Sequence, residues 1–568
     1  MTSSFRKAWN LLPVDLLHKH RGTGTGTLFY YVSAAQYFWL VKQPHLILFF
    51  LVVIISFILY VKFAPDKPEG TIDPPGPKGY PIIGNLLELD PKTPHLSLAA
   101  MAKKYGPIFS LKLGSVYTVV FSSEKLIRQI LGQQVITGRA PLYVTHGIME
   151  GKGIICSQGE LWYEHRRFLL SWLKATGRMF FGPEKNNLET HTKMYGPLYK
   201  CLQCNHYALG DIMNQLVFGV SWPEDHPTWK YLVHLQEEGI KHMGVCGPVN
   251  FIPILRFLPS NFKTLRFLLD GKRKTHQIYD TIINNHRLKM DVRSRQPCDL
   301  KTADFKVIHD PAFEKIVEKL KNKELLNASD NEYLSADCVL DYYLYEEVRR
   351  QDEEFSDESQ LRHALADMWG AGVDTTAATL RWLLVFLAVH QDCQEKARKD
   401  LPKDRPICAK DRTQATYLQA CILETQRMRS VVPLGIPHGA MEDTLISDYY
   451  IPKGTMVIPF QWALHMDPDL WPEPEKFKPE RYLDENNQIK LPGNLLPFQA
   501  GKRVCLGEEL ARTLLFIGAG TILQQVNVSM PENYSKSDVE SILDGICGLT
   551  MVPGDHKLHI TKVVTRDQ

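Results

Sequence analysis

The stretch Pro497–Gly507 reads "PFQAGKRVCLG" and sets one cysteine, Cys505, between two glycines and behind Lys502 and Arg503. It holds few apolar side chains that could cover a thiol, so packing does not explain the residue. A helical pattern begins directly afterwards, from Glu508 to Phe516. The free N–H groups and the dipole at a helix start favour a thiolate. Gly501 and Gly507 permit tight turns and let a flat ligand approach the main chain. Arg503, two residues before the sulfur, is placed to pair with an anionic group on such a ligand. One soft axial ligand on a glycine-framed, cationic loop suits iron in a porphyrin, which brings its own nitrogens.

Working outward, the 568-residue chain has 44% hydrophobic and 23% charged residues and a formal net charge of +3. That is a globular composition long enough for a large core, and it lacks the basic bias of a nucleic-acid binder. The 11 cysteines are scattered without a regular framework, which fits a reducing compartment better than a disulfide scaffold. Cys201 and Cys204 form the one close pair; with only His206 nearby they do not make up a zinc site.

Leu46–Val61, "LILFFLVVIISFILYV", carries no charge and one serine. As helix it spans roughly 24 Å, just short of a bilayer core of about 30 Å. Residues 44–63 are therefore read as a membrane anchor. The 1–43 extension before it holds Arg6, Lys7, Lys19 and Arg21 against Asp15 alone, which partly resembles an organelle transit peptide. Weighed against Lys62, Lys67 and Lys78, these cations would by the positive-inside rule hold the N-terminus in the cytosol, a signal that runs against a cytosolic body after the anchor. After the anchor, 64–86 reads as a proline- and glycine-rich hinge around "PPGPKGYPIIGNL". No comparable linker recurs, so residues 74–568 are expected to form one catalytic body, with a charged surface insert near 298–335.

That body reads as α+β and predominantly helical. No proline stands between Pro311 and Pro402, and Leu361, Leu365, Met368, Gly372, Thr375 and Thr379 mark one face of a long helix. "YTVVFS" at 117–122 and "TMVIPF" at 455–460 read as short strands. Within the helix, Gly370 and Gly372 each cost about 1 kcal/mol relative to alanine, which close approach to the ligand or close packing on a neighbouring helix would explain. The Thr375 hydroxyl is positioned to bond back to the carbonyl four residues earlier and open a polar notch beside Asp374.

Phe498-x-x-Gly501-x-Arg503-x-Cys505-x-Gly507-x-x-x-Ala511 matches, at every fixed position, the haem-binding signature of the cytochrome P-450 superfamily, which the chain resembles from Pro74 onward. The resemblance implies a P-450 fold with a long central helix over haem b, and Cys505 as axial thiolate. It makes Asp374 and Thr375, with Gly372, the proton-delivering pair and notch that serve dioxygen. Trp162 and Arg166 in "ELWYEHRRF", and His438 in "GIPHGAMED", correspond to partners of the haem propionates. Phe498, Gly501, Arg503 and Gly507 frame the cofactor. Glu424 and Arg427 in "CILETQRM", with Arg481 in "FKPERYLD", become a buried triad that locks the cysteine loop.

The implied chemistry is insertion of one oxygen atom from dioxygen into a lipophilic substrate. No flavin or dinucleotide domain is evident, so electrons from NADPH would come through a separate flavoprotein reductase, with Lys502 as one contact. "ADMWGAGVDTT", "VPLGIPHGAMEDT" and "LPFQAGKRVCLGEELA" are similar to the arthropod ecdysteroid 25-hydroxylases of the superfamily, which implies a sterol substrate and the endoplasmic reticulum membrane with a cytosolic body. A mitochondrial inner-membrane location remains the alternative to that site. Two other readings stay open: a broad xenobiotic, fatty-acid or other steroid hydroxylase, and a non-catalytic haem-binding sensor, which would have no need of Asp374 and Thr375.

Overall fold

The strands read at 117–122 and 455–460 pair with each other. In the computed structural model Val116–Phe121 (β2) and Met456–Pro459 (β5) run parallel, with Thr118 opposite Met456 and Phe121 opposite Pro459. Ile108–Leu113 (β1) joins β2 by an antiparallel ladder. Gly138–Arg139 (β3) and His438–Gly439 (β4) complete a five-stranded sheet in the order β1-β2-β5-β4-β3. Three two-stranded ribbons supply the remaining strands among the described residues, which are Leu51, 69–181, 205–242, 244–294, 338–352 and 355–563. The 1–43 extension, nearly all of the proposed anchor, Cys201 and Cys204, and the 298–335 insert lie outside them.

From Ile72 onward the chain forms one compact unit, mostly helical. The helices that build the site are α1 (Glu124–Gly132), α2 (Gly159–Phe181), α3 (Asn205–Phe218), α4 (Pro227–His242), α5 (Glu358–Val389), α6 (Thr416–Met428), α7 (Gln461–His465) and α8 (Glu508–Gln525). Helix α5 is the proline-free run expected from the sequence. Asp357 caps it, its carboxylate accepting the Ser359 N–H at 2.8 Å. Residues such as Leu361, Leu365, Val373, Leu380 and Leu383 are buried along it, so its apolar length is spent on the core. It packs against α3 on one side and α6 and α8 on others.

The proline-rich segment before the body docks on the sheet. Ser110 N–H donates to Pro75 O at 2.7 Å and Ser110 Oγ to Pro74 O at 2.8 Å. A Cβ on Gly76 would lie 1.9 Å from the Ser110 carbonyl, so only glycine lets the two backbones meet. The part of the expected hinge from Pro74 to Leu86 therefore belongs to the body.

The ion pairs expected of Glu424, Arg427 and Arg481 are all made. Glu424 and Arg427, one helical turn apart on α6, are both 0% exposed and joined by two bonds, Nε–Oε2 at 2.8 Å and Nη2–Oε1 at 2.9 Å. Arg481 Nε reaches Glu424 Oε1 at 3.1 Å, the Lys478 N–H donates to the same oxygen, and Tyr482 OH donates to Oε2. The spare N–H groups of the arginines go to carbonyls: Arg427 to His465 and Pro474, Arg481 to Pro472 and Glu473. Every charge is thus paired and hydrogen-bonded, the condition for a buried ion pair to be tolerated. Glu424→Gln, which leaves Arg427 buried without its counter-charge, is expected to cost about 3–5 kcal/mol in urea unfolding. Arg481→Ala should cost less, because that side chain is 11% exposed.

Candidate haem-thiolate site

Cys505 sits between a 3-10 turn, Gly501–Arg503, and the start of α8. Its N–H donates to Phe498 O at 3.0 Å, closing the loop on itself. Gly501 has φ +71°, and a Cβ there would lie 2.0 Å from the Leu131 carbonyl of α1; the turn and the close approach both demand glycine. Gly507 differs. It caps α8 at φ −92°, an ordinary conformation, and a Cβ would meet nothing within 4 Å. Both stand at turns, but only the one at Gly501 requires glycine; beside Gly507 open space remains. Phe498 lies under the Arg512 guanidinium, 5.1 Å from its ring centre.

Cys505 is exposed, yet burial is the first cause raising its thiol pKa, with Glu508 adding to it. Both hold for a sulfur at the floor of a recess, open on one side and surrounded on the others. The Gly507 N–H and Arg166 pull the pKa down but do not prevail. The helix start favours the thiolate as expected, through the Gly507 N–H, but desolvation outweighs it here, so a coordinated metal would supply the rest of the deprotonation.

Around this recess lies a group of buried cations. Arg139 on β3, Arg166 on α2 and Arg503 in the loop have lowered pKa values, chiefly from burial, and in two of them from one another; Arg139 falls to about 10 and Arg503 to about 8. None of the three pairs with a carboxylate among the described residues. The one acid whose field reaches Arg139 is Asp367 of α5, itself raised to about 7 by burial and engaged with the Ile154 and Ile155 N–H groups. Trp162, 3% exposed, stacks under Arg503 at 4.1 Å, and its Nε1 has no partner. Unpaired buried cations beside an orphaned N–H donor call for an anion. A haem fits: its carboxylates answer the cations and Trp162 Nε1, and its iron answers Cys505.

The individual roles shift in detail. Arg503 spends three N–H groups on the carbonyls of Thr137, Ile154 and Ser157, at 2.9, 3.1 and 2.5 Å, so it ties strands to loop as well as lending charge. Arg166 Nη2 donates to Val504 O at 2.6 Å, fastening α2 to the residue before the cysteine. His438 is buried, with a pKa pushed down to about 3 by burial and by Arg139. Its Nδ1–H goes to Ile136 O at 2.8 Å, and its Nε2 lies 3.5 Å from Gln499 Oε1. Arg139 was not singled out from the sequence. Its signal was an arginine inside the apolar run "VITGRAPLYV", where a charge needs a reason.

On α5, Thr375 Oγ donates to Ala371 O at 2.8 Å, the backward bond expected, and Thr379 repeats it onto Thr375 O. Ala371 is exposed in the middle of this otherwise buried helix and Thr375 is half-buried, so the notch opens onto space. Asp374 is half-buried beside it. The glycines fit the helix-packing reading. A Cβ on Gly372 would lie 2.6 Å from Met213 of α3, and one on Gly370 would lie 3.2 Å from Gln236 of α4, whose amide donates to Gly370 O. Both admit neighbouring helices.

The sequence profile of the Cytochrome P450 family matches residues 74–559. The chain is 41% identical over 519 residues to cytochrome P450 306a1 of Drosophila melanogaster, an alignment covering 86% of this chain and 89% of that one. It is 29% identical to cytochrome P450 2K4 of Oncorhynchus mykiss, with 86% and 91% covered. To cytochrome P450 18a1 of Drosophila melanogaster it is 28% identical, with 85% and 86% covered. Arg139→Leu is expected to weaken haem binding about tenfold in titrations of the apoprotein, the loss of one charge-assisted bond. Unchanged affinity would remove Arg139 from the site.

Proposed function

The chain belongs to the cytochrome P450 family and is a monooxygenase, and from that premise we propose that it hydroxylates the side chain of an ecdysteroid precursor at carbon 25. The observation that carries this reading is the spread of identities. The chain shares 41% with cytochrome P450 306a1 of the fly but 28% with cytochrome P450 18a1 of the same animal. The relatives' organism therefore does not account for the higher figure. The motifs that resemble ecdysteroid 25-hydroxylases support the same substrate.

When bound, haem would supply activation of dioxygen, one atom of which enters the substrate while the other leaves as water, with two electrons from NADPH delivered through a flavoprotein reductase. The chain's own residues do the rest. Arg139, Arg166 and Trp162 would hold the propionates, and the Gly501 turn presents the sulfur. Thr375, its hydroxyl hydrogen committed to Ala371 O, keeps its oxygen lone pairs free to accept a bond in the notch. Asp374, next to it in sequence, supplies protons. The apolar segments 140–155, 247–259 and 431–439 receive the lipophilic substrate, and Asn250 ties the first two by accepting the Val144 N–H at 3.1 Å. Lys502 is exposed beside the cysteine loop and serves as one reductase contact.

Product analysis with a sterol panel, reductase supplied, tests the substrate. A 25-hydroxylated ecdysteroid is expected, and turnover of xenobiotics alone would move the reading to a broad oxidase. Thr375→Ala should lower product formation about 10²-fold with haem binding intact, the scale of a lost proton-transfer aid. Undiminished hydroxylation would take Thr375 out of the reaction.

We place the body on the cytosolic face of the endoplasmic reticulum. Of the described sequons, Asn533 is exposed, whereas Asn527 Nδ2 is bonded to Gln391 at 3.2 Å within a strand. Asn533 is thus the informative position. It should stay unglycosylated in microsomes, and a glycan there would reverse the topology.

A further inference from the structure

Three segments far apart in sequence meet on His465, the last residue of α7. Its ring is fully buried, at 0% exposure. The Leu496 N–H donates to Nε2 at 2.9 Å. A backbone amide only donates, so Nε2 must carry the lone pair and the proton must lie on Nδ1, facing Ser430 Oγ at 2.7 Å. The His465 carbonyl accepts from Arg427 Nη1 at 2.8 Å. Ser430 stands just past the end of α6, the helix that carries Glu424 and Arg427. Leu496 opens the cysteine segment: its carbonyl accepts from Gln499 N–H at 3.1 Å, and Phe498 O accepts from Cys505 N–H.

The triad's own side chains reach 465, 472–474, 476, 478 and 482, and among the described residues none bonds directly to 497–505. Its rigidity needs a carrier to the sulfur. We propose that His465 is that carrier, a positioning residue whose Nδ1-protonated imidazole couples α6 to the start of the cysteine loop and so holds Cys505 in ligating geometry. The proposal rests on Cys505 as the axial ligand. Burial, with Arg427 alongside, pushes the imidazole pKa down to about 3, so the ring stays neutral and the donor–acceptor order does not reverse near neutral pH.

The test uses full-length holoenzyme of His465→Asn, His465→Gln and Ser430→Ala. Asparagine keeps a donor near Nδ1 and loses the Nε2 acceptor; glutamine reaches the Nε2 position with an amide oxygen. The readouts are the fraction of reduced carbonyl complex with the red-shifted thiolate Soret band, and amide exchange of the Leu496–Gln499 peptide. His465→Asn should lower the thiolate fraction and speed exchange about fivefold, the worth of one lost hydrogen bond. His465→Gln should restore most of both. Ser430→Ala leaves the Nδ1 proton without its acceptor and removes the ring's side-chain link to the end of α6, and should accelerate the same peptide. It keeps the test decisive if the histidine variants fold poorly. An unaltered thiolate fraction and unaltered exchange in His465→Asn, or in Ser430→Ala where that variant alone folds, would overturn the proposal. A wild-type protein without the red-shifted band would instead overturn Cys505 ligation.

Discussion

A sulfur destined to be an anion sits where desolvation favours its proton. Burial raises the Cys505 thiol pKa, and the nearby helix start and Arg166 recover only part of the loss. Most of the surrounding architecture answers this conflict. The loop cannot rely on electrostatics to keep the sulfur ready for iron, so it relies on geometry. A left-handed glycine lies against the Leu131 carbonyl, the cysteine N–H closes onto Phe498 O, and Arg166 grips Val504 from α2. Positional constraint of this kind holds a ligand in place whatever its protonation state.

The same economy explains the cations. Arg139, Arg166 and Arg503 repel one another in a low-dielectric setting, which would be costly if carbonyls and a bound anion did not compensate. Arg503 donates to three carbonyls from two segments, so its charge and its bracing act through one side chain. The triad stands behind this arrangement as a closed set of charges, every lone pair and N–H spent within the fold. The two groups differ accordingly. The triad is complete in itself, whereas the cation cluster is complete only with an anionic cofactor.

How much of this was legible in the sequence depends on how local each feature is. Cys505, Gly501 and the loop motif stand within about fourteen residues, so the local pattern pointed to them; the Glu424–Arg427 spacing suits an exposed pair equally, and its burial with Arg481 was implied by the family resemblance. The Thr375 bond to Ala371 likewise follows from helix geometry, and the pairing strands at 117–122 and 455–460 showed in alternation and turn residues. Arg139 and His465 were missed because their meaning lies in contacts with segments distant along the chain. Gly370 and Gly372 left two readings open for a related reason. A glycine announces that something is close but not what, and here the close groups include Gln236 and Met213 from other helices. Gly507 stands in a turn whose backbone does not require glycine.

This contrast in locality also separates the reaction from its substrate. The residues that hold haem and prepare the notch are tied by short, specific bonds to sheet and core, so the chemistry is rigidly framed. The segments expected to meet the substrate are held at their edges: Asn250 grips Val144 and the carbonyls of Gly244 and Val245, and Lys272 bonds Ile148 O and Glu150. The inner end of the first segment is tied to the chemistry itself, since the Ile154 and Ile155 N–H groups bond Asp367 of α5 and Ile154 O accepts from Arg503 of the cysteine loop. The loop motif identifies the chemistry, whereas the substrate is argued from similarity over the whole chain.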